Sequence, residues 1–355
     1  MTTLALAVQT SRQLSRASLW ITGLVSVAVS VGIFGVLAVN DLSQPFNLVA
    51  AVFVAALLYF TLLVVMSRLV EGPRKAADRM ATGLVSTAFV IALLPLISLL
   101  WTTLQNGLPR LDDTFFSNSM RNIIGYGGGA LHAIVGTLEI TLAATVISVP
   151  IGILTAIYLV EYGRGRLAQA ITFLIDVMTG IPSIVAGLFA FALFALFFGP
   201  GIRFGIGGAV ALSLLMIPVV VRSTEEMLKL VPNELREASY ALGVPKYLTI
   251  VKVVLPTAIG GIITGVMIGI SRIIGETAPL LIIAGVTTSM NYNLFKDSMM
   301  TLPVFVYTQY ANAGSNPQNY LDRAWTGALV LVLIVMALNL IARLAAKWLA
   351  PKGLR

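Results

Sequence analysis

The sequence predicts an all-α, polytopic membrane protein with about eight transmembrane helices. Hydrophobic residues make up 58% of its 355 positions and charged residues only 11%, whereas a typical soluble domain carries about 25% charge. The apolar residues form blocks of about 18 to 29, the length that an α-helix needs to cross a hydrocarbon core about 30 Å thick. Lys and Arg are concentrated in alternate connections between these blocks, as expected of a chain that crosses a membrane repeatedly.

The predicted spans lie at 19–39, 48–66, 82–101, 134–159, 170–198, 204–221, 254–285 and 326–347. The first block follows Arg12 and Arg16, as the apolar core of a signal peptide would. At about 21 residues it is longer than such a core, and no clear small-residue cleavage site follows it, so we predict a membrane helix.

A polar, turn-rich stretch at 102–133 divides the chain. Before it lie three spans with almost no interior charge, and after it lie five spans that contain the ionisable residues of the membrane region. We therefore predict N-terminal spans over 1–101, an extracytoplasmic loop over 102–133 and a functional core over 134–348. Charged groups inside a membrane are costly and usually functional, so the function is expected in the core.

The distribution of basic residues predicts the orientation. If the N-terminus is cytoplasmic, 17 of the 23 Lys and Arg lie in inner segments and one, Arg272, lies inside a span. The five that remain in outer segments are Arg110, Arg121, Arg203, Lys296 and Arg323. This positive-inside bias places both termini in the cytoplasm. It also accounts for the net charge of +8 without a nucleic-acid partner.

Several kinds of chemistry are excluded by composition. The chain has no Cys and one His, His132, which excludes disulfides, thiolate metal sites and a histidine metal cluster. The glycine cluster at 125–129 follows no βαβ pattern and is interpreted as a flexible hinge on the outer face. No G-x-x-x-x-G-K-[ST] motif is present, so ATP binding through a Walker motif is excluded. We expect neither a catalytic residue nor a cofactor.

The longest inner loop, 222–253, is predicted to contain short helices along the membrane surface. Ser223 and Glu226 have capping-box spacing, which predicts a helix start near Ser223. Pro232 would end that helix and Asn233 would cap a second one, at about 233–243.

The end of this second helix predicts a contact surface. Gly243 would stop the helix and Pro245 would prevent its continuation. The small residues Ala238, Ser239 and Ala241 are expected to be exposed, which suits insertion into a groove of another protein. A solvated linker helix is the alternative.

The spacing within this loop resembles the EAA signature of ABC-importer permeases. That signature is carried here by Glu237, Ala238, Ser239, Gly243, Val253, Leu255 and Pro256, with Ser for the third Ala and Val for the usual Ile. The stretches 180–191, 218–243 and 265–281 are similar to Pst-type phosphate importer permeases. The resemblance runs over about 117–348.

This resemblance implies a MetI-like permease core, with two or three extra N-terminal helices, in the cytoplasmic membrane of a prokaryote. It implies a homologous second permease subunit and two ATP-binding subunits that dock at the cytoplasmic face. The docking residues would be Glu237, Ala238, Ser239, Gly243, Leu255 and Pro256. An extracytoplasmic phosphate-binding protein would deliver phosphate to the outer face. The chain itself would supply half of the pathway and no hydrolysis.

Two charges, Arg272 and Glu276, stand out in the seventh predicted span. At about 100° per residue, they share an arc of about 80° with Gly261, Gly265 and Gly269. A stripe of small residues marks a face where membrane helices pack closely, so both charges are expected to face protein. They could form a buried ion pair, line an anion pathway, or, for Arg272, extend towards the outer interface. Arg suits phosphate because its planar fork of donors matches two oxygens.

Asp176 and Arg222 are further candidates for the substrate pathway. Asp176 lies about two turns from the inner end of its span, where helix packing is the alternative role. Arg222 lies at the inner mouth and could instead pair with Glu225 or Glu226. For the whole chain, the alternatives to a phosphate importer subunit are a permease of the same fold for another oxyanion or small solute, and a stand-alone secondary transporter or channel.

Overall fold

The computed structural model describes residues 14–40, 48–123, 125–314 and 316–349, and these form helices and connecting turns without a strand. The chain separates into two compact units, Met1–Leu100 and Trp101–Arg355. Seven helices of the described part are long and apolar enough to cross a membrane, and one bent pair of helices raises the count to eight if it forms a single span. The prediction of a polytopic all-α protein with about eight spans is confirmed.

The first unit contains α1 (Arg16–Asn40), α2 (Leu48–Val70) and the first part of α3 (Pro73–Gly107). Small residues bring α1 and α2 together. A Cβ added at Gly23 would lie 3.7 Å from the Tyr59 ring, and the hydroxyl of Ser30 donates to the carbonyl of Ala51 at 2.5 Å. Close backbone approach of this kind is how helices associate in lipid, where burial of apolar surface gives no driving force.

The turn between α2 and α3 is organised around one carboxylate, that of Glu71. The Arg79 guanidinium donates to it twice, at 2.7 and 2.9 Å, and the Ser67 hydroxyl at 2.7 Å. The amide of Leu14 donates at 2.9 Å. These bonds, of which that from Arg79 has the largest effect, lower the pKa of Glu71 to about 2. The buried carboxylate is therefore ionised at neutral pH and fixes the turn.

The second unit consists of the end of α3 and eleven further helices. These are α4 (Asp113–Ser117), α5 (Leu131–Ile157), α6 (Gly165–Thr179), α7 (Ser183–Phe198), α8 (Gly205–Lys229), α9 (Asn233–Ala241), α10 (Lys246–Thr249), α11 (Leu255–Ile273), α12 (Ala278–Ile283), α13 (Leu302–Ala311) and α14 (Pro317–Leu349). Two π-helical turns, Tyr158–Tyr162 and Ile250–Val254, follow α5 and precede α11.

Two predicted spans are broken in the structure. The span predicted at 170–198 is a pair of helices, α6 and α7, bent by 110°, because the connection includes Gly180 and Pro182. The span predicted at 254–285 ends at Ile273, and α12 begins only at Ala278. Pro279 lies in the first turn of α12, where its missing N–H is tolerated.

The helix start predicted at Ser223 is wrong. α8 continues without interruption to Lys229, and the Ser223 hydroxyl donates to the carbonyl of Val219, one turn earlier, at 2.6 Å. Ser223 and Glu226 therefore match the capping-box pattern without forming one.

α8 lies at the centre of the second unit and is buried along most of its length. It packs against α5, α11, α7 and α6. At Gly207 and Gly208 an added Cβ would meet Ile283 and Leu280 of α12. Glycine at these positions lets neighbouring backbones approach more closely than any other residue would allow.

The glycine stripe of α11 packs onto α8. Gly261 lies against Met227, Gly265 against Ser223, and Gly269 against Met216 and Val220. These four residues of α8 are spaced by three or four, so they form one face of that helix. The two helices are therefore in close contact over about three turns.

A leucine at Gly265 should disrupt this contact, since an added Cβ already overlaps the Ser223 side chain. We expect Gly265→Leu to lower the free energy of unfolding by about 1–3 kcal/mol, the usual cost of overpacking. The matched control is Gly260→Leu, because no atom lies within 4 Å of a Cβ at Gly260. Thermal unfolding of the purified protein in detergent measures both. Equal midpoints for the two variants would contradict the packing role of Gly265.

Candidate functional site

An inner charge cluster, formed by Asp176, Arg222, Glu225 and Lys229, joins α6 to α8 on the predicted cytoplasmic side. Arg222 donates to Asp176 of α6 and, at 3.0 Å, to Glu225. Lys229 donates to the other oxygen of Glu225 at 2.7 Å. The pairing of Arg222 with Glu225 was one of the predicted alternatives, whereas the cross-element partner Asp176 was not predicted for it.

The inner charge cluster is electrically balanced but open to solvent. The Glu225 side chain is 12% exposed, that of Arg222 is 35% exposed and that of Asp176 is 58% exposed. An ion pair with so exposed a carboxylate is weak, because solvent screens it. The bond from Arg222 to Asp176 is therefore the part of the cluster that an incoming anion could replace at low cost.

The predicted docking helix is α9, which starts after Pro232. Asn233 does not cap it, because Pro232 is the N-cap residue and no side chain bonds to the free amides. At the other end the prediction holds. Gly243 has φ of +77°, and Gly243 and Val244 donate to the carbonyls of Tyr240 and Ser239 at 2.9 and 3.2 Å. This pair of bonds is the Schellman motif, which needs a residue in the left-handed region.

Arg236 attaches α9 to the rest of the second unit. Its guanidinium donates to Glu161 at 2.9 and 3.0 Å, and to the carbonyls of Leu228 and Val231 at 2.9 and 2.6 Å. The Glu161 and Arg236 side chains are 5% and 12% exposed. Lys246 also donates to the Glu161 carbonyl. A single side chain thus ties α9 to the end of α8 and to the π turn after α5.

The surface of α9 differs in part from the predicted one. Ala238 and Glu237 are exposed, as is Ala241, but Ser239 is buried and shares a 2.8 Å hydrogen bond with the Thr249 hydroxyl. The expected exposure of Ser239 was therefore wrong. Its small size instead lets α10 pack against α9.

Large apolar side chains are exposed around α9. They are Leu230, Leu235, Leu242 and Tyr247, of which Leu242 is 84% exposed. Exposed apolar side chains grouped beside polar ones are typical of an interaction site. At the start of α11, Leu255 is partly buried and Pro256 is exposed. Since Pro256 lacks an N–H, it interrupts the α-helical ladder just after the π turn Ile250–Val254.

Arg272 and Glu276 do not share a helix face. α11 ends at Ile273, and Glu276 lies in the connection to α12. The helical-wheel prediction was therefore wrong for Glu276, and within the described residues no ion pair joins the two side chains. The structure therefore contradicts the interpretation that Arg272 and Glu276 form a buried ion pair.

Arg272 itself lies beside the packed glycine face rather than on it. It is exposed, together with Ile268 one turn earlier and Thr264 two turns earlier, whereas Gly265 and Gly269 are buried. In the isolated chain, the stripe that contains Arg272 is therefore not covered. A guanidinium near the end of a membrane helix needs protein or water beside it, because its exposure to lipid would be costly.

Two functional candidates, Glu161 and Arg236, were missed by the sequence reasoning. Both lie in segments that look like ordinary charged connections, and 75 positions separate them. A long-range pairing of this kind leaves no local pattern, so only the folded structure identifies it.

The chain is similar in sequence to known membrane transport proteins. Residues 148–354 match the family model described as binding-protein-dependent transport system inner membrane component. The chain is 44% identical to the phosphate transport system permease protein PstA 1 of Mycobacterium tuberculosis (strain CDC 1551 / Oshkosh) over 76% of this chain and 88% of the relative. It is 40% identical to PstA of Haemophilus influenzae over 76% of this chain and 94% of the relative.

The fold has a solved counterpart in a bacterial alginate ABC transporter. The crystal structure, in complex with an alginate pentasaccharide-bound periplasmic protein, has a chain that aligns with a TM-score of 0.56 at 12% identity. The alignment covers 78% of this chain and 97% of that chain.

Removing the Arg236 guanidinium should loosen α9. Arg236→Gln leaves Glu161 charged and nearly buried, and a broken buried pair costs about 3–5 kcal/mol. We expect faster amide hydrogen exchange throughout α9, measured by mass spectrometry. The exposed Arg166→Gln, on the same side of the chain, should leave exchange in α9 unchanged. If Arg236→Gln also left it unchanged, Arg236 would not anchor the helix.

Proposed function

Because this chain belongs to the family of binding-protein-dependent transport system inner membrane components, we propose that it is the permease subunit of an ATP-driven importer of inorganic phosphate. The observation that carries the substrate assignment is the 44% identity, over most of both chains, to a relative named for phosphate transport. The chain forms half of the pathway, a homologous permease forms the other half, and an extracytoplasmic protein delivers phosphate.

The pathway is proposed to run along the exposed stripe of α11. Its support is the position of Arg272 near the end of a membrane helix, where it is exposed and has no carboxylate partner within the described part of the chain. A second permease placed against this stripe would enclose Arg272 in a water-filled passage. There the guanidinium could bind two phosphate oxygens at once through its planar fork.

The inner charge cluster is proposed to act at the release end of the pathway. Arg222 holds two carboxylates, and the one from Asp176 is largely exposed. Phosphate could take the place of Asp176 on Arg222, and Asp176 could in turn displace phosphate. A carboxylate that competes for the same guanidinium keeps the anion weakly bound, as release into the cytoplasm requires.

α9 is proposed to dock on an ATP-binding subunit. The exposed surface around Glu237 and Ala238 carries the apolar side chains needed for such a contact, with Leu242 at its end. Arg236 joins α9 to α8 and to the turn after α5. A displacement of α9 by the closing ATPase would therefore be transmitted to the helices that border the pathway.

Arg272→Gln should abolish most phosphate uptake, since hydrogen bonds to a charged group contribute about 1.5–3 kcal/mol each. Loss of one or two such bonds corresponds to at least about a tenfold reduction. The measurement is uptake of labelled phosphate by vesicles that contain the assembled importer, with sulfate and arsenate as competitors. Arg121→Gln, at an exposed position of the outer segment, is the matched control.

Assembly with the ATPase should be unaffected by Arg272→Gln, which separates a pathway defect from a failure to assemble. Unchanged phosphate uptake by Arg272→Gln would remove Arg272 from the pathway. Sulfate uptake without phosphate uptake by the wild-type importer would overturn the substrate assignment and favour another oxyanion.

Gly243→Val should release the ATPase, because valine in the left-handed region costs about 1–3 kcal/mol and would unwind the end of α9. Copurification of the ATP-binding subunit with the tagged permease measures this. Gly165→Val is the matched control, because Gly165 has φ of +74° and the same open surroundings but begins α6. Retention of the ATPase by Gly243→Val would contradict docking on α9. Full transport by the chain without any ATPase would favour a stand-alone transporter.

A further inference from the structure

Two of the five basic residues predicted on the outer side are buried, and both contact the same glycine-rich loop, 125–129. Arg110 is 7% exposed and Arg323 is 1% exposed. Burial of a charged group is costly unless a partner of opposite charge compensates it. The other three outer cations, Arg121, Arg203 and Lys296, are exposed and need no such partner.

Arg323 is the less compensated of the two. Its Nε donates to Gln309 at 2.8 Å, and its Nη1 donates to the carbonyls of Gly125 and Gly127 at 2.7 and 3.1 Å. Its Nη2 is buried and has no hydrogen-bond partner among the residues that the structure describes. All acceptors of Arg323 are neutral, and within the described ranges no carboxylate pairs with it.

Arg110 binds the next carbonyl of the same loop. Its Nη2 donates to Gly128 at 2.9 Å and its Nη1 to the carboxylate of Asp112 at 2.7 Å. Since Gly127 and Gly128 are consecutive, the two guanidiniums bind adjacent peptide groups. Hydrogen bonds, the largest effect coming from the Thr114 hydroxyl, lower the pKa of Asp112, so it is ionised at neutral pH. Among the described residues, Asp112 is thus the one carboxylate that forms an ion pair with either cation, and Asp322 acts on Arg323 only at longer range.

The part of the loop that binds Arg323, at Gly125 and Gly127, can give up these bonds to another ligand. Gly125, Gly127 and Gly128 have φ of +87°, +98° and +69°, which glycine adopts without strain. No atom of the described residues lies within 4 Å of a Cβ added at Gly125 or Gly127, so there is free space beside this part of the loop, whereas Gly128 packs against Met120 and Ile123. Neutral carbonyls are also weaker acceptors for a guanidinium than an oxyanion, whose charge-assisted bonds are roughly twice as strong.

We propose that Arg110 and Arg323 form an oxyanion site on the outer side of the second unit, where inorganic phosphate displaces the loop carbonyls and bridges the two guanidiniums. The choice of phosphate rests on the proposed function. The site differs from Arg272 in its position, since it lies between the end of α3, the loop and the start of α14. It would take up phosphate at the outer face before the anion enters the membrane.

The opposite interpretation is that both arginines only hold the loop in place. The two interpretations differ in the role that they give to the Asp112 carboxylate. If the arginines only hold the loop, Asp112 stabilises Arg110, and neutralising Asp112 does not tighten phosphate binding. For an oxyanion site, Asp112 competes with and repels phosphate, so its neutralisation tightens binding. Asn preserves the helix cap that Asp112 provides to Phe115 at 2.8 Å, because Asn and Asp are equally good at that position.

The experiment measures equilibrium binding of ³²P-labelled inorganic phosphate to the purified full-length chain in nanodiscs. All variants carry Arg272→Gln, so that phosphate at Arg272 does not contribute to the reading. In this background we expect saturable binding, at least tenfold weaker binding in Arg323→Gln, and unchanged binding in Arg121→Gln. Asp112→Asn should bind phosphate severalfold more tightly.

Absence of phosphate binding in the Arg272→Gln background overturns the inference. Should Arg323→Gln fail to fold, Asp112→Asn decides, and binding by Asp112→Asn that is equal to or weaker than in the parent overturns the inference. Phosphate uptake by the otherwise wild-type importer is measured in parallel. Normal uptake together with no effect of Asp112→Asn leaves the proposed function intact and removes only the outer site.

Discussion

The close approach of α11 to α8 is the contact on which the rest of the second unit depends. The hydrophobic effect does not drive apolar helices together within lipid, so their association relies on close backbone packing. Gly261, Gly265 and Gly269 provide it against one face of α8. This contact orients the exposed stripe of α11, including Arg272, away from α8. α8 in turn carries the inner charge cluster at its end and leads into α9.

The charges of the second unit fall into three classes that differ in how they are compensated. The pair of Glu161 and Arg236 is nearly buried, and Arg236 also donates to two backbone carbonyls, which suits a rigid connection. The inner charge cluster is balanced but partly exposed, which suits exchange with a passing anion. Arg272 and Arg323 have no carboxylate partner among the described residues. If the chain transports phosphate as proposed, a guanidinium without an ion-pair partner is a suitable binding position for the anion.

Much of the site could be predicted from local patterns. The spacing from Glu237 to Pro256 identified the segment that is proposed to dock, and Gly243 identified the end of its helix, because a helix end leaves a sequence signal. The pairings could not be predicted. Arg222 with Asp176 and Arg236 with Glu161 join residues that are 46 and 75 positions apart. The burial of Ser239 also depends on α10, a separate element.

The amino-acid sequence by itself determined the class of the protein, the approximate positions of its spans and the glycine face of α11, because lipid imposes length, hydropathy and small-residue spacing on each helix separately. Only the tertiary structure decided which charges meet. The contact of α6 with α8 places Asp176 beside Arg222, and Arg236 of α9 meets Glu161 in the π turn after α5. Both outcomes depend on packing between elements that are distant in the chain, and such packing leaves no periodic pattern in either segment.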